Sequence, residues 1–165
     1  MENLKAVTIY TDGACLGNPG RGGYAALIIA NGQRRELKGG FKDTTNNRME
    51  MMAAIVALEM LGEKCRVELH SDSSYLVNAM TKGWAKRWQK MGWQRNKNEA
   101  ARNPDLWERL LKACERHQVT FCWVRGHDNS SENIRCDELA NGAARSASLV
   151  RDEGYRRPPA KLHLF

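Results

Sequence analysis

The stretch Gly23-Tyr24-Ala25-Ala26-Leu27-Ile28-Ile29-Ala30, followed by Asn31-Gly32, decides the fold of the first part of the chain. Its apolar and β-branched residues predict a strand, and an Asn-Gly pair after such a run is the strongest short signal for a hairpin. Residues 6–10 and 34–41 have similar composition on either side. We therefore predict that the chain begins with an antiparallel meander of three strands.

A helix and a further strand are predicted after the meander. Asn47 with Glu50 three residues later resembles a capping box, apolar residues then recur at helical spacing, and Gly62 is a plausible stop. Residues 67–71 read as a fourth strand. A helix between two strands is the connection that parallel strands require, so the fourth strand should pair parallel to a strand of the meander.

The second half of the chain predicts more helices and one last strand. Residues 73–82 form a short helix, and a basic, aromatic segment follows up to Trp93. Asn103 before Pro104 opens a helix that runs to about residue 117, residues 119–124 form the fifth strand, and a final helix covers about residues 132–149. The prediction is an α/β fold with a mixed five-stranded sheet flanked by helices. One catalytic domain would span residues 1–155, with a basic tail at residues 156–165.

Composition limits the class of protein and of partner. The 165 residues are 42% hydrophobic and 27% charged, which is ordinary for a globular domain. A formal net charge of +7 favours a polyanionic partner, although charge alone does not identify it. The five cysteines are scattered without a C-x-x-C pair, which predicts reduced thiols and a cytoplasmic protein. No apolar run approaches the ~18 residues of a membrane span.

Four acidic residues stand at predicted strand and helix ends. Asp12 follows the first strand and Asp72 follows the fourth, so parallel pairing would bring both to the same edge of the sheet, where open α/β sheets place their sites. Glu50 lies in the first turn of the crossover helix. Asp137 shares a face of the last helix with the small residue Ala140, so we expect it to be buried against the sheet.

Two interpretations of these acids are open. Asp12 and Asp72 could be turn or cap residues, while Glu50 and Asp137 could complement helix N-termini. Taken together, four acids without matching lysines repel each other unless a cation lies among them. Ligands that offer only oxygen suit Mg²⁺ or Mn²⁺ rather than zinc. The chemistry indicated is metal-assisted hydrolysis of a phosphodiester.

Four separated motifs in consistent order resemble type 1 ribonuclease H of the bacterial, single-domain kind. They are Thr11-Asp12-Gly13-Ala14-Cys15-Leu16-Gly17-Asn18-Pro19-Gly20, Thr44-Thr45-Asn46-Asn47-Arg48-Met49-Glu50, Ser71-Asp72-Ser73, and Gly126-His127 with Cys136-Asp137-Glu138-Leu139-Ala140. The resemblance covers the chain from about Val7 to Tyr155. It implies an endonuclease that cuts the RNA strand of RNA/DNA hybrids, acting as a monomer without an obligatory protein partner.

The resemblance also implies roles for the acids. Asp12, Glu50, Asp72 and Asp137 would bind two divalent ions, Mg²⁺ or alternatively Mn²⁺, of which one activates water and the other stabilises the leaving 3′ oxygen. The products would carry 5′-phosphate and 3′-hydroxyl ends. His127 would help proton transfer or product departure, whereas read alone it is a solvated loop histidine.

Contacts to the hybrid follow from the same resemblance. The RNA strand would meet short polar groups near its 2′-hydroxyls. These groups are Cys15, Asn18, Asn46 and Asn47. Thr45 and Asn103 would hold a phosphate of the DNA strand, although turn chemistry and helix capping equally explain the asparagines, Asn103 before Pro104 above all.

The basic, aromatic segment resembles the substrate-binding protrusion of the family. Stacking surfaces combined with phosphate contacts are its physical logic. The residues concerned are Trp84, Lys86, Arg87, Trp88 and Lys90, with Tyr75 beside the tryptophans in the DNA channel. The alternative is that the tryptophans form the apolar side of an amphipathic helix, with Trp88 as the core residue.

Two positions depart from the family pattern. Ser74 stands where many relatives have glutamine, and Asp43 stands where some relatives have a basic residue beside the phosphate pocket. The serine weakens the case for a base or ribose contact at residue 74, and Asp43 predicts lower affinity for the DNA strand. Two other functions remain open at this point: a module that grips hybrids or double-stranded RNA without cutting, and a DNA strand-transfer or resolvase enzyme with the same architecture.

Overall fold

The computed structural model describes residues 3–126 and 130–158. Five strands form one sheet in the order β3-β2-β1-β4-β5, antiparallel within the meander and parallel from β1 to β4 and from β4 to β5. They are β1 (Lys5–Leu16), β2 (Gly20–Ala30), β3 (Gln33–Thr44), β4 (Cys65–Ser71) and β5 (Gln118–Trp123). The predicted mixed sheet is confirmed.

The β2–β3 hairpin closes as the Asn-Gly pair predicts. Asn31 has φ 52° and Gly32 has φ 73°, so both lie in the left-handed region. A two-residue turn of this kind requires positive φ at both central residues, and it matches the natural twist of the two strands.

Helices cover both faces of the sheet. They are α1 (Asn46–Met60), α2 (Ser74–Thr81), α3 (Trp84–Lys90), α4 (Pro104–Glu115) and α5 (Ser131–Ala144). Neighbouring strand residues point to opposite faces. Accordingly, Ala26 packs in the main core with Met49 of α1, while Ala25 packs with Leu139 and Ala140 of α5. No helix in the described ranges is long and apolar enough to cross a membrane.

The first turn of α1 differs from the prediction. The N-cap is Thr45, whose side chain accepts a hydrogen bond from the Arg48 amide at 3.3 Å, rather than Asn47. At the other end Leu61 takes an extended conformation, with φ −73° and ψ 120°. The helix therefore ends at Met60 without needing Gly62 as a left-handed stop.

Two predicted boundaries are wrong for the same reason, which is pairing between distant residues. Strand β1 continues past residue 10 because β2 still pairs with it, so Asp12 lies inside the strand opposite Ala25. Helix α5 ends at Ala144 instead of about residue 149, because the following chain turns back to the sheet and Val150 bridges Phe41 of β3. Helix α4 also ends slightly before the predicted residue, at Glu115, with Arg116 as its C-cap.

Candidate active site

Parallel pairing of β1 and β4 aligns two carboxylates. The ladder pairs Lys5 with Cys65 and continues in step to Tyr10 opposite His70. Asp12 follows Tyr10 by two residues, and Asp72 follows His70 by two residues. The Thr11 hydroxyl donates a hydrogen bond to the His70 carbonyl at 3.1 Å, which joins the two strands at the end of their paired region. The prediction that Asp12 and Asp72 meet at one edge of the sheet is confirmed.

Glu50 reaches these residues because Gly13 has no side chain. A Cβ at residue 13 would lie 2.5 Å from the Glu50 amide nitrogen and 2.7 Å from the Met49 carbonyl carbon. The first turn of α1 therefore packs directly on the β1 backbone, which carries the Glu50 carboxylate to Asp12. Glu50 is 3% exposed.

The three carboxylates form a cluster in which burial and mutual repulsion disfavour the charged forms. Oxygens of Asp12, Glu50 and Asp72 all lie within 4.8 Å of one another. Burial first and the charge of Asp72 second raise the pKa of Asp12 to about 7, against a hydrogen bond from the Gly13 amide. Burial also raises the pKa of Glu50 well above its ordinary value, with Asp12 and Asp72 adding to the effect.

A divalent cation fits this cluster. Glu50 Oε2 is buried and has no hydrogen-bond partner in the described part of the chain. An unpaired buried carboxylate oxygen beside two further carboxylates is a costly arrangement that a hard cation relieves. Within the described residues no histidine or cysteine belongs to this group. The donor set therefore matches Mg²⁺ or Mn²⁺ better than zinc.

Asp137 stands at the rim of the cluster and is exposed, contrary to the expectation that it packs against the sheet. Ala140 and Ala144 do pack there, since a Cβ at Gly23 would lie 2.0 Å from the Ala140 carbonyl and 2.6 Å from the Ala144 amide. Asp137 points away from that contact, and its carboxylate accepts from Asn141 Nδ2 at 3.1 Å. It is still close enough for its charge to raise the pKa of Asp12.

A cleft of about 610 Å³ opens above the cluster. All four acids line it, together with polar residues of α1, α2 and the β5–α5 connection. Its other lining residues include Asn46, Asn47, Ser73, Ser74, Tyr75, Arg125, Gly126 and Asn133. His127 lies outside the described residues, but its neighbour Gly126 is close to the site, because a Cβ there would lie 3.7 Å from Asp72 Oδ2.

The residues predicted to meet the RNA strand gather around the start of α1. Asn18 Oδ1 accepts from the Asn46 amide at 3.0 Å, which joins the β1–β2 turn to the helix. The Cys15 thiol donates to the Thr44 carbonyl at 3.5 Å. Asn47 is exposed on the same turn. These polar groups therefore form one continuous rim beside the cleft.

Arg48 is a residue that the sequence did not single out. It is 2% exposed, and its guanidinium contacts Asp152 at 2.7 and 3.0 Å and Asp105 at 2.7 and 2.9 Å. A further hydrogen bond of 3.3 Å reaches Asn103 Oδ1. The one signal available was an arginine among the buried methionines of α1, and Asp152 lies too far along the chain to be paired with it by inspection.

Asn103 proves not to be a side-chain cap. It has φ 58° and makes no capping hydrogen bond. Instead its Nδ2 donates to the Tyr75 hydroxyl at 3.2 Å. The same hydroxyl accepts a second hydrogen bond, from Trp107 Nε1 at 3.1 Å. Arg48, Asn103 and Tyr75 therefore form a chain of contacts from the predicted phosphate position to the cleft.

The two tryptophans of α3 have different surroundings. Trp88 is 6% exposed and packs edge-on against Trp107, with ring centroids 5.8 Å apart, so the core reading of this residue is correct and its ring is not offered to a ligand. Trp84 is half-buried, and Lys82 Nζ lies 5.3 Å from the centroid of its ring. Lys86, Arg87 and Lys90 are exposed on the outer side of the helix.

Comparison with known proteins agrees with this geometry. The family model of RNase H matches residues 4–145. The chain belongs to the ribonuclease H family. Ribonuclease H of Desulforamulus reducens is 61% identical over 150 residues, covering 91% of this chain and 94% of the relative. Ribonuclease HI of a Synechocystis species is 56% identical, with 91% and 94% coverage.

Solved structures of ribonucleases H share the fold. LC9-RNase H1, a type 1 RNase H with the type 2 active-site motif, superposes with a TM-score of 0.77 at 34% identity, covering 87% of this chain and 74% of that one. LC11-RNase H1, solved in complex with an RNA/DNA hybrid, gives a TM-score of 0.65 at 26% identity, with 84% and 96% coverage.

Proposed function

We propose that the chain hydrolyses the RNA strand of RNA/DNA hybrids with Mg²⁺ held by Asp12, Glu50, Asp72 and Asp137, leaving 5′-phosphate and 3′-hydroxyl ends. The observation that carries the proposal is the group of three carboxylates within 4.8 Å, one of them with an orphaned buried oxygen. The names of the curated relatives and the hybrid bound to LC11-RNase H1 support the choice of substrate.

Each acid has a part in holding the cations. Two bound Mg²⁺ or Mn²⁺ ions supply Lewis acidity and an activated nucleophile at neutral pH. The raised pKa values of Asp12 and Glu50 mean that both carboxyls hold protons readily, so a cation would displace these protons when it binds, and its binding should strengthen as pH rises. Asp137 is exposed and completes the group from the solvent side. His127 would help proton transfer or product departure.

The rim around the start of α1 would recognise the two strands. Cys15, Asn18, Asn46 and Asn47 offer short polar groups to ribose 2′-hydroxyls. Thr45 and Asn103 would hold a phosphate of the DNA strand. The buried Arg48 donates a hydrogen bond to Asn103, which would preorganise Asn103 for such a phosphate.

Helix α3 would bind the substrate outside the cleft. Lys86, Arg87 and Lys90 are exposed and can neutralise phosphates, while Trp84 offers part of its ring and Tyr75 lines the cleft. We place the protein in the cytoplasm, in keeping with five free cysteines, and propose that it acts as a monomer.

A panel of duplexes tests the proposal. Labelled RNA/DNA hybrid, double-stranded RNA and double-stranded DNA are each incubated with Mg²⁺ and with chelator, and product ends are identified by phosphatase and ligase treatment. We expect that only the hybrid is cut, that only its RNA strand is cut, and that cutting occurs with Mg²⁺ but not with chelator. Tight binding of hybrid without cutting would indicate a binding module, and cutting of DNA would indicate a strand-transfer or resolvase enzyme.

A further inference from the structure

A second cleft lies between the end of β3 and the chain that follows α5. It measures about 560 Å³ and is lined by Lys42 and Asp43 on one side and by residues between 151 and 157 on the other. We call it the C-terminal cleft. Among the residues that the structure describes, it has no lining residue in common with the cleft above the carboxylates, which we call the acidic cleft.

The segment that forms the C-terminal cleft is anchored by buried contacts. Asp152 is 5% exposed and accepts from the Thr44 hydroxyl and from Arg48 Nε, each at 2.7 Å. The Lys42 amide donates to the Val150 carbonyl at 2.7 Å. A Cβ at Gly154 would lie 1.9 Å from Asp105 Oδ2, so the backbone passes directly over the Arg48 network. The cleft is therefore a preformed part of the fold.

The C-terminal cleft carries an excess of positive charge. Arg157 pairs with Asp43 through Nε at 3.2 Å and Nη2 at 2.5 Å, while Asp152 is occupied by Arg48. Lys42, Arg151 and Arg156 also line the cleft, and none of the three forms an ion pair with any other residue that the structure describes. Within residues 3–126 and 130–158, these three positive charges around one concave surface thus have no acidic partner.

The position of the C-terminal cleft relates it to the proposed substrate path. Thr44 and Arg48, which bind Asp152, flank Thr45, and Arg48 also holds Asn103. Arg157 also lies near Cys15. Burial raises the pKa of the Cys15 thiol, and the positive charge of Arg157 lowers it in part. The cleft therefore adjoins the rim predicted to meet both strands.

We propose that the C-terminal cleft binds backbone phosphates of nucleic acid, outside the acidic cleft and next to the Thr45–Asn103 position. Arginine guanidinium groups suit this ligand because they bind phosphate oxygens in pairs. Asp43 holds the Arg157 side chain in place and competes with phosphate for it. The inference rests on the proposed function for the identity of the duplex, but the chemistry recognised is the phosphodiester backbone itself.

The test compares two double variants that each remove two exposed arginines. Arg151→Gln with Arg156→Gln changes the C-terminal cleft, and Arg66→Gln with Arg116→Gln is the matched control, since both of its residues are exposed and line neither cleft. Dissociation constants for hybrid are measured in chelator over a series of salt concentrations, and thermal melts establish that each variant is folded.

We expect the cleft variant to bind hybrid roughly three- to ten-fold more weakly per lost phosphate contact near physiological salt. The slope of log K against log salt should become shallower by about 0.9 per contact. Arg156→Gln alone should give the same kind of change at about half the size. The control should keep the wild-type slope. Equal affinities and slopes for the cleft variant and the control overturn the proposal.

Double-stranded DNA separates this inference from the proposed function. The cleft recognises backbone phosphate, so the same loss of affinity and slope is expected with DNA, whether or not any duplex is cut. If the wild-type protein cuts no hybrid and the cleft variant still binds DNA more weakly than the control, the proposed function fails and the cleft stands. If DNA binding is equal in both variants, the cleft fails whatever the outcome of the cleavage assay.

Discussion

At the residue scale, burial sets the charge state of Asp12 and Glu50, two of the carboxylates that we propose hold the cation. Both carboxylates have a raised pKa, and burial is the largest cause in each case. A bound cation and a bound proton are thus alternatives for the same buried charge. The protein is therefore expected to be least stable when it has neither.

The pH dependence of stability follows from these shifts. A folded-state pKa of about 7 for Asp12 lies above its value in the unfolded chain, so the stabilising contribution is present below about pH 4 and is lost as pH rises through 7. Asp12→Asn removes this loss. In chelator, the stability of the variant relative to wild type should increase by on the order of 2 kcal/mol between pH 4 and pH 8.

Urea unfolding at several pH values measures this difference. Addition of Mg²⁺ should restore the stability of the wild-type protein at pH 8 and have less effect on the variant. Parallel pH profiles for the two proteins would contradict the electrostatic account of the cluster.

His127 is expected to contribute to the cleavage rate. His127→Ala should slow cleavage by about 10² to 10⁴-fold without abolishing it, because a positioned proton-transfer group contributes that much and the acids remain. Steady-state kinetics across pH provide the measurement. An unchanged rate and pH profile would return His127 to the role of a solvated loop histidine.

At the scale of elements, the first turn of α1 joins the site to the rest of the molecule. It places Glu50 over Gly13, and two residues earlier it sends Arg48 into the opposite side of the same turn. Arg48 then ties α1 to Asp105 of α4 and to Asp152 after α5. The orientation of the carboxylate group and the packing of the C-terminal segment therefore depend on one helix.

Arg48→Met is expected to destabilise the fold by about 3 to 5 kcal/mol, because it leaves the buried Asp152 without its cation. Arg109→Met is the control, since Arg109 pairs with Glu59 at the surface and such pairs contribute about 0 to 1 kcal/mol. Denaturant unfolding measures both. Similar small losses in the two variants would show that the Arg48 network does not hold the elements together.

Helix α3 offers a matched pair of tryptophans. Trp88→Ala should cost about 3 to 5 kcal/mol of stability, since the ring is buried against Trp107. Trp84→Ala should cost less stability but weaken hybrid binding, by roughly 1 to 3 kcal/mol if a base or sugar stacks on the ring. Melting curves and hybrid titrations separate the two effects. Unchanged hybrid affinity for Trp84→Ala would remove this residue from the substrate contacts.

At the scale of the whole molecule, local signals predicted the fold and distant contacts explain the errors. The Asn31-Gly32 turn was readable because it depends on a short pattern, and the crossover helix predicted that the fourth strand pairs parallel to a strand of the meander; that this strand is β1, which brings Asp12 beside Asp72, is a finding of the structure. The pairing of Arg48 with Asp152 joins residues 104 positions apart, and no local pattern marks it. The exposure of Asp137 depends on how α5 rotates on the sheet, which helical spacing alone did not fix.

Under the proposed function, the carboxylates act as one metal-dependent centre that cuts the RNA strand of a hybrid. The most direct test of this proposal is the single-turnover rate of hybrid cleavage over a range of Mg²⁺ concentrations, for wild type and Asp12→Asn, with hybrid affinity measured in parallel. We predict Mg²⁺-dependent cutting by the wild type and a rate at least about 10³-fold lower in the variant, since metal ions contribute several kcal/mol, at similar hybrid affinity. A variant that cuts hybrid at close to the wild-type rate would contradict the account.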